Sequence, residues 1–146
     1  MNLKIRKMTE QDLDSLYLLL SDPRVMINLE EPYSKEQAEQ FLLKCGMCDS
    51  PLIYAVEDEG GFAGYVIFHE YDPDSMELGW VLFPQHWNKG YASDLTRQMI
   101  TRCREMGKQI VIECDKAQEV TKHIALKYGF IHERNKDRLE IYRLKS

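Results

Sequence analysis

Leu78-Gly79-Trp80-Val81-Leu82-Phe83-Pro84-Gln85-His86-Trp87-Asn88-Lys89-Gly90-Tyr91-Ala92-Ser93-Asp94-Leu95 begins as an apolar run, meets a proline, turns, and resumes with helical spacing. Pro84 has no N–H to give a ladder and holds its φ at about −65°, so a strand over residues 76–83 is expected to end there. Gly90 then stands where loop becomes helix, and Ala92 follows, so two positions with little or no side chain occupy the first turn. The early N–H groups of a helix have no internal partner and form the positive end of its macrodipole. A loop that keeps side chains out of their way suits an anion, and a diphosphate fits. Taken alone, Gly-x-Ala after a strand also serves merely to let a helix pack on a sheet. The order strand, proline, polar-aromatic turn and amphipathic helix is what favours the anion.

The chain around this stretch has 146 residues, which predicts one domain, 1–146, with a single sizeable core. Apolar residues make up 44% and charged residues 29%, a globular composition and not a disordered one. No apolar run approaches the ~20 residues that span a bilayer, so no membrane partner is expected. Met1-Asn2-Leu3-Lys4-Ile5-Arg6 alternates with charges instead of building a signal-peptide core, which predicts a cytoplasmic protein. The net charge is −5, so the surface as a whole does not advertise nucleic acid, while a cationic or amine-bearing substrate is compatible with it. Cys45-Gly46-Met47-Cys48 is a Cys-x-x-Cys, but no second pair has zinc-ribbon spacing. No metal is therefore expected, and Cys45, Cys48, Cys103 and Cys114 read as free thiols in a reducing compartment.

Leu3-Lys4-Ile5-Arg6 suits a half-buried strand. Thr9 and Asp12 can form a capping box before a helix with Leu13, Leu16, Tyr17 and Leu20 at helical spacing, ended by Asp22-Pro23. Residues 24–33 have no clean period and read as loop or a short turn. Ser34-Lys35-Glu36-Gln37 has the form of a second capping box, opening a helix with Ala38, Phe41, Leu42 and Cys45 on one face. Residues 51–57 and 62–68 read as a hairpin around Asp58-Glu59-Gly60-Gly61, and 71–75 turns into the strand 76–83. A helix over 89–107 carries Leu95, Met99, Ile100 and Cys103 on one side, and Gly107 stops it. Residues 109–114 form a strand entered from a helix, hence parallel to its predecessor. Residues 118–128 form a helix with Val120, Ile124 and Ala125 inward, closed by Gly129; 130–133 and 139–144 form a last hairpin around Asn135-Lys136-Asp137.

Trp87-Asn88-Lys89-Gly90-Tyr91-Ala92 resembles the acetyl-CoA loop of the GNAT acetyltransferases, Arg/Gln-x-x-Gly-x-Gly/Ala, with Trp87 in the first position. The branch that acetylates ribosomal-protein N-termini and related amines often reads Trp-x-x-Gly-Tyr-Ala there. A second anchor runs from Glu113 to Phe130, where helix, Tyr128-Gly129-Phe130 and strand resemble the close of a GNAT domain. Gln118 and Thr121 take the places of the Asn and Ser or Ala that begin the helix flanking the pantetheine; Gln keeps an amide donor and acceptor on a longer arm. The resemblance implies the GNAT fold, an α/β (α+β) arrangement with a mixed, mostly antiparallel central sheet flanked by helices and a splayed parallel strand pair. It implies acetyl-CoA as cosubstrate, held by backbone groups of Trp80, Val81 and Leu82 along the thioester and pantetheine, by the amides of Asn88, Lys89, Gly90, Tyr91, Ala92 and Ser93 at the diphosphate, and by Gln118 and Thr121. A homodimer through the closing strands is a habit of the family. Its first helical region tends to wall the acceptor pocket.

Acyl transfer from a thioester to an amine needs a neutral amine, a stabilised oxyanion and a proton for the departing thiolate. The resemblance implies Glu113 as general base, by its place five residues before Gln118, and Glu77 as a second carboxylate beside the splay. For each, a solvated strand glutamate facing away from the cleft is the competing reading. The tyrosine expected on the last helix falls at Ala125, which leaves Tyr128, one turn later, as the catalytic candidate, and Tyr142 as a remote one. His86 and His123 read as surface residues. The expected function is transfer of acetyl from acetyl-CoA to a primary amine, a protein N-terminus or a small amine, by direct attack in a ternary complex. The alternative is a GNAT-fold module that binds CoA or a partner without turnover. A nucleotide-binding module is disfavoured, because no Gly-x-x-x-x-Gly-Lys-Ser/Thr or Gly-x-Gly-x-x-Gly occurs. Glu30 and Glu31 hint at a cationic acceptor, though a charge pair on a loop is ordinarily solvated.

Overall fold

The computed structural model describes residues 2–145. It divides into two compact units, one running to Ile67 and taking in Trp80–Tyr91, the other holding Phe68–Gly79 and the chain from Ala92 on.

In the first unit, strand β1 (Lys4–Arg6) delivers Arg6 to the buried Asp12, with two hydrogen bonds of 2.9 and 2.8 Å, and to Glu57. Asp12 also accepts the Thr9 N–H at 2.8 Å, closing the expected capping box over a 3-10 turn, Glu10–Asp12, that leads into helix α1 (Leu13–Leu20). Leu16, Leu19 and Leu20 are buried; Leu13 and Tyr17 are half-buried, so the apolar stripe is broader than the spacing suggested. Asp22-Pro23 ends α1 and at once begins another helix. The Asp22 carboxylate accepts the Arg24 N–H at 2.8 Å and Pro23 takes the first position of α2 (Pro23–Met26). One turn is too short to show a period; of the two readings of this part of residues 24–33, loop or short turn, the structure takes the second, as a single helical turn. Ser34 and Gln37 form the second capping box, opening α3 (Lys35–Phe41), which continues as a π-turn, Leu42–Gly46. Strand β2 (Ile53–Asp58) pairs antiparallel with β3 (Gly61–Asp72) from Ile53↔Ile67 to Asp58↔Gly61. Leu16, Leu19, Leu20, Met26, Ile53, Ala55 and Tyr65 meet in this unit's core.

In the second unit, β4 (Ser75–Leu82) starts before the crossover helix α4 (Tyr91–Glu105), which leads to β5 (Gln109–Asp115). The Lys108 N–H bonds the Cys103 carbonyl at 2.9 Å and the Gly107 N–H bonds Arg104, the closing pattern expected at Gly107. Phe130 and Gly129 repeat it at the end of α5 (Glu119–Lys127). Val120 is a correction: it is 62% exposed, while Ile124 and Ala125 are buried. Periodicity assigns a helix face but not how far along the axis a neighbour extends, and only the second half of this short helix is covered. Strands β6 (Ile131–Lys136) and β7 (Leu139–Leu144) make the last hairpin.

The sheet order is β1-β2-β3-β4-β5-β7-β6. Among the described strand pairs, β4 and β5 run parallel, with Ser75↔Gln109, Met76↔Ile110 and Glu77↔Val111. Among the described residues the fold is a mixed sheet of seven strands flanked by helices. Cys103 and Cys114 are buried, and burial pushes each thiol up to about 11. Among the described residues no group of His, Cys, Asp and Glu is arranged to hold a metal, and no helix is long and apolar enough to cross a membrane.

Candidate active site

After Leu82 the chain makes a 3-10 turn, Pro84–His86, and the Trp87 indole N–H donates to the Leu82 carbonyl at 3.0 Å. One lone pair of a carbonyl expected to face the pantetheine is thereby engaged. Asn88 (φ 60°) and Gly90 (φ 85°) take left-handed backbone, so the loop reverses twice within three residues before α4 begins. The helix starts at Tyr91, two residues later than its apolar spacing suggests, because neither left-handed residue can belong to it. Among the described residues no side chain accepts from the first amides of α4, and within a helix those N–H groups have no partner. Lys89, Gly90, Tyr91, Ala92 and Ser93 thus line the approach to that turn. The Tyr91 side chain leaves it, its hydroxyl donating to Asp58 at 2.8 Å while its ring stacks on His86, centroids 4.8 Å apart. His86, expected on the surface, has a side chain only 17% exposed.

Trp80 is half-buried, and Val81 and Leu82 are buried, on β4. The ladder between β4 and β5 stops at Glu77↔Val111, although β4 continues to Leu82 and β5 to Asp115. Strand groups beyond the last rung need another partner.

Because side chains alternate across a strand, Glu77, Val111 and Glu113 share one face. Cross-strand pairs add Arg143, opposite Val111, and Ile141 with Arg134, opposite Glu113. Burial raises the Glu77 pKa above the usual carboxylate range; His69, with Nε2 3.7 Å away, opposes this, and the charge of Glu113 adds to it. Tyr71 accepts a hydrogen bond from Arg134 at 3.1 Å, and burial together with Glu113 holds its proton more tightly. The two expected glutamates therefore lie together, with His69, Tyr71 and Arg134 as neighbours that sequence reading missed. Their separations in sequence carry no signal for this meeting.

The residues expected on the other anchor lie elsewhere. Lys122 of α5 reaches Glu140 at 3.3 Å, and Glu140 opposes Cys114, so α5 covers the face that Glu113 turns away from. Gln118 turns its amide oxygen back onto the Asp115 N–H at 2.7 Å, leaving its NH2 donors. Thr121 is half-buried beside it in sequence. The Tyr128 hydroxyl donates to the Ser93 carbonyl at 3.4 Å and accepts from Arg97 at 3.1 Å, and it meets neither glutamate. Tyr142 opposes Ile112, also on the α5 side, and donates to Glu140 at 2.9 Å.

A groove of about 430 Å³ runs along α3 in the first unit, with Glu30, Tyr33, Glu36, Phe41, Lys44 and Cys45 among its walls. The Tyr33 hydroxyl donates to Glu30 at 2.7 Å, and burial, with Glu30 second, pushes it up to about 12.

Residues 2–131 match the family model for the acetyltransferase (GNAT) domain. An N-acetyltransferase of Bacillus subtilis named YnaD and called uncharacterized is 31% identical over 101 residues, which are 67% of this chain and 59% of that protein. The chain thus matches about three fifths of the length of that curated relative. An acetyltransferase (GNAT family) from Bacillus anthracis superposes with a TM-score of 0.86 at 24% identity, covering 99% of this chain and 95% of its own. The spermidine N-acetyltransferase of Vibrio cholerae, solved with CoA and spermine, gives 0.77 at 22% identity over 97% and 92%. At those identities the likeness of structure establishes the fold, and the family model, matching most of the chain, establishes descent: this chain belongs to the GNAT acetyltransferase family.

Proposed function

We propose that the protein is an N-acetyltransferase that moves acetyl from acetyl-CoA to a primary amine, on a protein N-terminus or a small molecule, by direct attack in a ternary complex. The observation that carries this reading is the early end of the β4–β5 ladder, together with a helix α4 that follows two left-handed residues and whose first amides take no side-chain acceptor among the described residues. In it, backbone groups of Trp80, Val81 and Leu82 pair with the thioester arm, and the amides from Asn88 to Ser93 take the diphosphate. A member of the same fold has been solved with CoA bound, which supports that cosubstrate. Gln118, through its free NH2, and Thr121 flank the pantetheine. Trp87-Asn88-Lys89-Gly90-Tyr91-Ala92 favours the branch resembling the ribosomal-protein N-terminal acetylases.

The amine must lose a proton before its nitrogen forms a bond to the acetyl carbon, and the C–S bond then breaks to release CoA as thiolate. We assign the base to Glu113 and Glu77 as a pair. A carboxyl raised by burial is closer to the working pH of a base, which favours Glu77 for direct transfer. Tyr128, with its hydroxyl on Ser93 and Arg97, supports the loop that holds the cosubstrate more than the leaving thiolate. The thiolate is a fair leaving group, and water serves as its acid. The groove with Glu30 and Glu36 beside Tyr33 and Phe41 supports a cationic acceptor.

A second reading, CoA binding without turnover, is favoured by Ala125 in the place of the family tyrosine and by the Gln118 oxygen spent on Asp115. Isothermal titration of acetyl-CoA and CoA, followed by thiol release with a panel of amines and N-terminal peptides, separates the two. Micromolar binding with release for one acceptor class is expected. Tight binding without release for any acceptor supports the second reading, and absence of binding overturns both.

A further inference from the structure

We propose that Asp58, the last residue of β2, is a positioning residue for the anion loop: through the Tyr91 hydroxyl it holds the first residue of α4 and so sets where that helix's free amides point. The inference rests on the reading that those amides receive the cosubstrate's diphosphate. Asp58 has both oxygens fixed, Oδ1 accepting the Gly60 N–H at 2.8 Å and Oδ2 accepting the Tyr91 hydroxyl at 2.8 Å. His86 lies over the Tyr91 ring with planes 13° apart, and its Nε2 is 3.6 Å from the same Oδ2. A carboxylate 33 residues away in sequence and a ring from the preceding turn thus grip one side chain.

The placement answers a conflict. A helix start is ordinarily fixed by an N-cap oxygen that accepts the second or third amide. An anion site needs those same amides empty. Fixing the helix through the side chain of its first residue orders the turn and leaves the amides unspent. Ordering matters here because Asn88 and Gly90 make the preceding loop adopt backbone that few residues favour, and helix ends fray. Donors held in place before the ligand arrives spare the ordering cost at binding.

The test uses Tyr91→Phe, Asp58→Asn and the double variant of the full chain. Titration of CoA is expected to show affinity reduced about tenfold in each single variant, the scale of a lost hydrogen bond to a charged group. The double variant is expected to lose no more than the worse single one, since both act through one bond. KM for acetyl-CoA rises while KM for the amine stays, a split that general loosening of the fold does not produce. Hydrogen exchange of the amides of residues 91–93 in the unliganded protein is expected to quicken. Unchanged CoA affinity and unchanged exchange in Tyr91→Phe overturn the proposal, and so does an additive double variant. If the unmutated protein binds no CoA, the reading of the loop fails, while the exchange measurement still decides whether Asp58 holds the helix start.

Discussion

Gly64 sits in β3 with φ at +153°, and a Cβ built there would lie 2.2 Å from the Val81 carbonyl oxygen and 2.9 Å from the Leu82 Cα. Both atoms are backbone and cannot step aside as a side chain would. Gly64→Ala is therefore expected to destabilise by about 3 kcal/mol, read from the midpoint of urea unfolding. Nothing in Phe62-Ala63-Gly64-Tyr65 marks that glycine, because the close approach comes from the end of the next strand, β4, and depends on how the two backbones meet. Glu77 is a residue of the opposite kind: its type and strand place made it a candidate from sequence, but its environment needed the fold. Its pKa is raised, burial first, so the folded protein holds that proton more tightly than the unfolded chain does. The stability Glu77 contributes is present at low pH and lost as pH rises through its titration. Glu77→Gln removes the loss. The variant is expected to melt higher than the unmutated protein at pH 8, with the gap closing toward pH 4, and to have lower kcat if Glu77 serves as base. Equal melting temperatures across that range would show that Glu77 stays solvated.

At the scale of elements, the loop before α4 was the most legible part of the chain. A proline ends the strand, and the residue that most readily takes left-handed backbone stands two positions before the next small one. Gly90 has φ 85°, so Gly90→Ala is expected to cost about 1–2 kcal/mol through backbone strain alone. It is also expected to weaken CoA binding more than tenfold, because the cost falls on the turn that presents the amides. A variant that melts lower yet binds CoA unchanged would separate the turn's folding role from the binding proposed for it. Less legible was α2, whose single turn is specified by Asp22 and Pro23 and not by a repeat. Val120 was misread because a period of 3.6 residues carries no information about what stands opposite. The bond from Tyr91 to Asp58 was illegible for a simpler reason: a turn aspartate and a loop tyrosine are common, and only the fold brings them to 2.8 Å.

For the whole chain, the order of elements apart from α2 was readable, and so was the parallel pairing of β4 with β5, because a parallel neighbour needs a crossover long enough to hold a helix such as α4. Which charged residues face each other was not. Tyr71, Glu77, Glu113 and Arg134 come from four strands and meet only through register. The net charge of −5, by contrast, is fixed by composition alone and bears on the acceptor. An acidic surface raises the local concentration of cations and lowers that of anions, over a distance set by salt. Raising ionic strength from about 0.01 M to about 0.1 M shortens the Debye length from about 30 Å to about 10 Å. For an acceptor with several amines, kcat/KM is expected to fall several-fold over that range while kcat, measured at saturation, changes little. A peptide acceptor with acidic residues behind its N-terminal amine is expected to respond weakly or in the opposite direction. Steady-state rates for the two at both salt concentrations decide the matter: a steep fall for the polyamine alone assigns the acceptor a positive charge beyond its reacting nitrogen. Equal insensitivity would confine recognition to the reacting amine, and the carboxylates Glu30 and Glu36 would then be solvated surface.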